Sequence, residues 1–363
     1  MLIYEKYILK KLIAVFLLTV MFFTAILFIF NVFRIARHVA AGLQISLVLK
    51  LFFYLVPSLI GFSIPFAALV ACLLVYGRLS GQNEILALRA SGVSLYRTAS
   101  AMVMLGIGTF LLSVFVFAIV SPKGKFAVRK LRTELGSINP LFLFEPGEWI
   151  TISGYSFYLE KRHGNRLTDV QISHEDEEGI WTEVLAERAT MEHQQESGTL
   201  CLTLHDVTST MRKLGGEELW KEKARSMVIK FDLASIMERI EIRKEEDEMT
   251  FRELLARTKL ARELREDSSL YTTEFNKRLV FCFACLSFAM IGAPLGMRIH
   301  RGEKTVGVSI GLALAMSFYT VVMFAERLRK NLAVHPQLLM WLPNVALVVL
   351  AILFFRKVRR GVS

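Results

Sequence analysis

The chain has 363 residues, 53% of them hydrophobic, and a formal net charge of +11. Its apolar residues collect in long runs at the two ends while the middle reads as water-soluble sequence, which excludes a single soluble globular domain. The basic excess stands beside apolar runs instead of forming a solvated stripe, so it points to cytoplasmic loops and anionic lipid, and away from nucleic acid.

In chain order, the first apolar run is Ile8 to Phe33, preceded by Lys6, Lys10 and Lys11. A signal peptide also starts basic, but its apolar stretch is only about 7–15 residues. This run is far longer and predicts an uncleaved membrane helix. The second run, Leu47 to Tyr76, contains Pro57, Gly61 and Pro65, which membrane helices tolerate when neighbours satisfy the freed backbone groups. The third, Ala99 to Val120, ends at Ser121-Pro122. Three more follow the soluble region: Leu279 to Met297, Val306 to Ala325 and Leu338 to Phe355. A bilayer core about 30 Å thick needs about 20 apolar residues per helix. The expectation is six transmembrane helices, three before and three after one inserted domain.

The middle reads as β. Trp149 to Ser153 alternates apolar and polar residues, and Ser156–Leu159, Leu167–Ser173, Glu183–Met191, Thr199–Thr208 and Ser226–Phe231 look similar. Glycine-bearing turns separate them at His163-Gly164-Asn165, Glu178-Gly179, Ser197-Gly198 and Gly215-Gly216. Many short strands at near-regular spacing predict an antiparallel sandwich or jelly roll. Thr250-Phe251-Arg252-Glu253 fits a capping box opening a helix to about Arg265. The expected domains are 1–121, 122–273 and 274–363.

Lys and Arg in the short loops orient the chain. One side collects Lys6, Lys10, Lys11, Arg78, Arg89, Arg97, Arg298, Arg301, Lys304, Arg356, Lys357, Arg359 and Arg360. The other has Arg34, Arg37, Lys50, Arg327, Arg329 and Lys330. Both termini are therefore expected in the cytoplasm and the middle domain outside. Lys123, Lys125, Arg129, Lys130 and Arg132 run against this bias at the outer end of helix three.

Catalytic motifs are missing. Gly302-Glu303-Lys304-Thr305 lacks the first glycine and the GK pair of a phosphate-binding loop, and there is no HExxH or GxSxG. His163, His174, His193 and His205 are scattered over the β region. Cys282 and Cys285 have CxxC spacing but lie mid-helix beside Cys-free apolar sequence with no histidine or carboxylate, and read as small packing residues with Cys72; Cys201 stands alone in the soluble region. No metal or cofactor is expected. The six runs lack the mid-membrane carboxylates of an ion-coupled carrier. Energy for transport would have to arrive through a terminus or a cytoplasmic loop.

The segment Gly77 to Arg97 is the candidate loop. Ser80 and Asn83 can cap a short helix, Glu84 suits its positive end, Gly92 can end it, and Ile85, Leu86 and Leu88 give it an apolar surface. Such a helix either docks into a partner's groove or lies on the membrane surface. The outer cations Arg34, Arg37 and Lys50, with the Lys123–Arg132 cluster, either bind lipid phosphate or snorkel into water.

Several elements in this order carry a family likeness: Pro57 and Pro65; Gly77-Arg78-Leu79-Ser80 leading to Glu84 and Arg89-Ala90-Ser91-Gly92-Val93-Ser94; Glu274 and Arg278; Ile291-Gly292-Ala293-Pro294-Leu295-Gly296; and Trp341-Leu342-Pro343-Asn344. On these the chain resembles the LptF/LptG (YjgP/YjgQ) family of lipopolysaccharide export permeases. The resemblance implies an α-helical polytopic membrane protein with an inserted antiparallel β-jelly-roll periplasmic domain, in the bacterial inner membrane. It implies a non-enzymatic subunit paired with a paralogous six-helix permease, driven by a cytoplasmic LptB-like ATPase, and handing lipopolysaccharide to an LptC/LptA-like β-jelly-roll bridge. Carried over by residue, Glu84, Leu86, Leu88, Arg89 and Gly92 match the ATPase-coupling helix, expected at about 80–96, and Arg34, Arg37 and Lys50 match the lipid phosphate-binding rim. The family often has a proline four residues after the helix-four arginine, where this chain has Cys282; the kink is then either absent or supplied by Pro294. The reading from residues alone keeps an alternative: a membrane scaffold or sensor whose β-domain binds a partner without transport.

Overall fold

The computed structural model describes residues 3–40, 45–138, 147, 149–152, 155–163, 165–175, 180–194, 199–213, 218–232, 244–264, 268–298, 304–330 and 336–359. The chain divides into two compact units, Met1–Arg34 with Phe52–Phe126 and Lys244–Ser363, and Ile35–Leu51 with Ala127–Arg243.

Among the described residues six helices are long and apolar enough to cross a membrane. They are carried by α1 (Ile3–Ala40), α2 (Ile45–Gly81), α4 (Leu95–Phe115), α7 (Ser269–Arg298), α8 (Lys304–Arg327) and α9 (Pro336–Arg359). The short α3 (Glu84–Ala90) links α2 to α4. After α4 the helix widens into a π turn at Val116–Val120 and continues as α5 (Ser121–Ile138). Wide turns of this kind cluster at functional positions because they release carbonyls from the regular ladder.

In the helical unit α7 is the hub. Residues on every side of it are buried, from Thr273 and Glu274 to Met297. Its glycines allow close backbone approach to α2: a Cβ on Gly292 would lie 2.8 Å from the Leu69 carbonyl oxygen, and one on Gly296 2.6 Å from that of Leu73. Polar contacts fix α9 along α7. Gln337 Nε2 donates to Thr272 Oγ1 (2.6 Å), Trp341 Nε1 to Asn276 Oδ1 (3.2 Å) and Asn344 Nδ2 to the Val280 carbonyl (3.0 Å). Phe62, Phe66, Phe281, Phe288, Phe318 and Tyr319 pack as an aromatic layer. By contrast α1 presents Leu18, Met21, Phe22 and Phe30, each at least 60% exposed, as expected of a lipid-facing helix. The proline absent at position 282 leaves α7 continuous; Cys282 is buried there, and the Ser113 hydroxyl donates to its sulfur at 3.6 Å.

Among the described residues the second unit holds six strands: β1 (Ile150–Ile152), β2 (Tyr155–His163), β3 (Arg166–Glu175), β4 (Ile180–Gln194), β5 (Thr199–Lys213) and β6 (Glu218–Asp232). They pair antiparallel in sequence order, so the described sheet is a meander, without the crossovers of a Greek key. Pairing skips one transverse row, Glu160, Asp169, Glu187, Asp206 and Arg225, with the register unchanged on either side. Asp169 and Asp206 take positive φ there, 54° and 56°. The inward alternation changes phase across the same row: Val184 and Ala186 are buried before it, Ala189 and Met191 after it, and Val207 and Leu204 likewise on β5. The two halves of the sheet nevertheless bury their side chains in one cluster. The row is a crease across a single six-stranded meander whose residues on both sides of it face one core. The turns at Glu178-Gly179, Ser197-Gly198 and Gly215-Gly216 lie outside the described residues.

A separate helix, α6 (Phe251–Glu263), follows the sheet in the chain. Thr250 caps it, accepting from the Glu253 amide, while Glu253 accepts from the Thr250 amide at 2.7 Å, the reciprocal box expected from the sequence.

Candidate functional site

Seven residues are too few for α3 to hold itself helical in water. Packing holds it. Ile85 is buried in a cluster that includes Ile8, Leu12, Leu79 and Leu95. Glu84, in the first turn, meets Lys11 of α1 at 3.4 Å, and the same ammonium sits 4.0 Å from the centre of the Tyr7 ring. Both side chains of the pair are about a third exposed, so it contributes at most about 0.5–1 kcal/mol. A groove of about 590 Å³ runs along this contact, lined by Tyr4, Tyr7 and Ile8 on one wall and Leu79, Ala87 and Leu88 on the other.

The capping differs from expectation. Ser80 lies within α2 and donates to the Met297 carbonyl at 2.7 Å, pinning the end of α2 to the end of α7. Asn83 occupies the N-cap position in a left-handed conformation (φ 59°) with no side-chain capping bond. The helix is therefore shorter than the 80–96 segment. Its end agrees: Gly92 has φ +84°, and nothing crowds its missing Cβ. Ser94 then caps α4, accepting from the Arg97 amide at 3.4 Å. One face of α3 is thus braced by its own subunit. The other carries Leu86, 64% exposed, and exposed Arg89, with Leu88 half-buried between. A short helix with one face braced and the other half-apolar and open has the character of a groove-docking segment.

Of the cations expected on the outer side, Lys50, Lys123 and Lys130 are exposed. The side chains of Arg34, Arg37 and Arg132 lie outside the described ones. Lys125 is half-buried and occupied, 2.9 Å from Asp247 Oδ2.

That contact belongs to a second constellation, half of whose charged residues sequence reasoning missed. Arg278 of α7 is 3% exposed. Its Nε donates to Glu274 Oε1 (2.8 Å), Nη1 to the carbonyls of Met249 (2.6 Å) and Phe117 (3.4 Å), and Nη2 to those of Asp247 (2.8 Å) and Glu246 (3.2 Å). Lys277 bridges Glu274 (2.5 Å) and Glu326 (2.7 Å). Three cations and three carboxylates thus close a neutral network, the condition under which buried charge is tolerated. Burial alone would raise the Asp247 carboxyl, but Lys125 above all, with Lys277 and Arg278, outweighs it and holds the group below the usual carboxylate range. Glu253 is likewise held low: burial raises it, and hydrogen bonds from Lys244 and from Thr250 outweigh that. The sequence marked Glu274 and Arg278 as family-like and Lys125 as a lipid-facing candidate. Asp247, Lys277 and Glu326 carried no signal beyond charged residues at the ends of apolar runs.

Among the described residues the one carboxylate triad close enough for a metal is Glu245, Asp247 and Glu248. Its members are engaged otherwise, Asp247 by Lys125 and Glu248 by accepting from the Glu245 amide at 3.1 Å. Cys72, Cys282 and Cys285 are buried packing residues, and all four cysteines are unbridged.

The model of the family described as "Lipopolysaccharide export system permease LptF/LptG" matches residues 6–357. Comparison with curated proteins gives no match.

Proposed function

The chain belongs to the LptF/LptG family of lipopolysaccharide export permeases, multi-pass proteins of the inner membrane, and on that premise we propose that it is one of two permease subunits through which a separate cytoplasmic ATPase drives lipopolysaccharide out of the membrane. It is a transporter subunit and not itself an enzyme. In this reading both termini face the cytoplasm and the β unit lies in the periplasm, where it passes lipid to a bridge of similar domains. The ATPase docks on the open face of α3 at Leu86, Leu88 and Arg89, beside Glu84, and Gly92 fixes where that face ends. Arg34, Arg37 and Lys50 hold lipid phosphates, because a guanidinium or ammonium gains charge-assisted hydrogen bonds from a phosphate that water alone does not match.

The observation that supports the coupling role is the asymmetry of α3: Ile85 and Glu84 are held by α1, while Leu86 and Arg89 are left outward. Its test is recovery of partners. The subunit, solubilised from its native membrane and captured, should bring down an ATPase and a second six-helix permease. Recovery of periplasmic proteins alone, repeated in lipid nanodiscs, would move the assignment to a scaffold. The lipid assignment has its own test. Alanine at both Arg34 and Arg37 should cut photocrosslinking to lipopolysaccharide, and unchanged crosslinking would remove those residues from the site.

A further inference from the structure

The chain runs into the β region and back by two stretches, one leaving through the π turn and α5 and one returning through Lys244–Met249. Both stretches meet α7 at Arg278. The guanidinium takes the Phe117 carbonyl from the outgoing stretch and the carbonyls of Glu246, Asp247 and Met249 from the returning one. Lys125, just before the chain leaves, bridges directly to Asp247, just after it returns. Lys244 also sits 5.2 Å over the Phe126 ring. Both stretches are fixed where they border the insertion, at positions 126 and 244.

The chemistry of the clamp favours arginine specifically. Five donors in a planar fork satisfy four backbone carbonyls and one carboxylate together, which a lysine ammonium cannot do. Backbone carbonyls are indifferent to the side chains around them, so the clamp grips the path of the chain and not a particular residue. The returning stretch is short: a three-residue 3-10 turn, Glu246–Glu248, leads through the buried Met249 into the capped α6. The network is charge-neutral and closed, so Arg278 has no donor to spare for a substrate headgroup.

We propose that Arg278 is a positioning residue for transport: it locks the outgoing and returning connections of the β unit to α7, so that displacement of the transmembrane helices reaches both connections at once. The Lys125–Asp247 pair closes the same clamp from its solvent side. The role in transport rests on the permease reading above; the clamping itself does not.

The test uses the full-length subunit in the complex purified from its native membrane and placed in proteoliposomes with lipopolysaccharide. Three quantities are read: amide exchange of the 244–253 peptide, ATP hydrolysis, and lipid released per ATP. Arg278→Gln should speed exchange of that peptide by about tenfold or more, since it loses several hydrogen bonds from a charged donor. Exchange in α8 should not change, hydrolysis should stay within about twofold, and lipid released per ATP should fall by about tenfold. Arg278→Lys should lie between the two. If the 244–253 peptide is unchanged the clamp is refuted. If exchange rises while lipid per ATP stays normal, or if hydrolysis and release fall in step, the positioning role is refuted. Should Arg278→Gln fail to assemble, charge reversal decides: Lys125→Asp and Asp247→Lys singly should each loosen the peptide and lower release, and the double exchange should restore both. Failure of the double exchange to restore them would overturn the proposal. A wild-type complex that hydrolyses ATP but moves no lipid would instead sink the export reading, while the exchange data would still report on the clamp.

Discussion

At Glu84 one carboxylate serves its own subunit and, in the proposed reading, a partner. Glu84→Lys removes the 3.4 Å contact to Lys11 and sets two ammonium groups on neighbouring positions, which repel through water and partly exposed protein. Recovery of the ATPase with this variant should fall while membrane insertion stays normal; equal recovery would remove Glu84 from the docking face. Asp247 makes a second residue-scale prediction. Its folded carboxyl is held below the unfolded value of about 3.9. The stabilisation is therefore present above that value and is lost as pH falls through the lower folded one. Protection of the 244–253 amides should fall on acidification below about pH 4, and Asp247→Asn should abolish that step while lowering protection at neutral pH. Glu84 was visible in the sequence because a short loop between long apolar runs has few ways to hide a charge. Asp247 was not: its partners are 122 and more than 25 positions away, at Lys125 and Lys277, and no local pattern records a contact between distant stretches of chain.

The elements were more legible than their ends. Each apolar run became a helix, and each alternating segment became a strand, because one face or one period is enough to specify both. Helices grew beyond the runs, as α7 did from Leu279 back to Ser269, because paired charges at a helix end are invisible to hydropathy. The crease in the β sheet was also unreadable. Glu160, Asp169, Glu187, Asp206 and Arg225 look like ordinary outward residues on ordinary strands, and only their alignment across five strands makes a crease. The close approach of α2 and α7 predicts a severe effect from a small change. Gly296→Ala would press a methyl to 2.6 Å from the Leu73 carbonyl oxygen, and since that contact is backbone it cannot swing aside. Overpacking of this kind costs about 1–3 kcal/mol, which should appear as a lower melting temperature of the detergent-solubilised subunit. Gly108→Ala, which meets nothing within 4 Å, is the control and should melt like the wild type.

Across the whole molecule the two halves are not equivalent. The N-terminal helices include α1, whose described side chains are largely open, whereas the C-terminal half contributes α7, most of whose residues are buried. Glu274, Lys277 and Arg278 all lie on that helix, within two turns of each other. Inserting such residues into a membrane singly costs up to about 2.5–3.5 kcal/mol each at the centre of a helix and less towards its end. Their partners Lys125 and Asp247 are made earlier in synthesis, and Glu326 later. A helix like this is a poor candidate for settling into lipid unaided. Its seat is built on one side by α2, α4 and the returning Lys244–Met249 stretch, and on the other by α8 and α9, which are made after it. The two ends of the chain therefore depend on each other during assembly: α7 enters a seat half built by the early helices and is covered only once α8 and α9 follow, so loss of either flank should expose α7 to proteolysis.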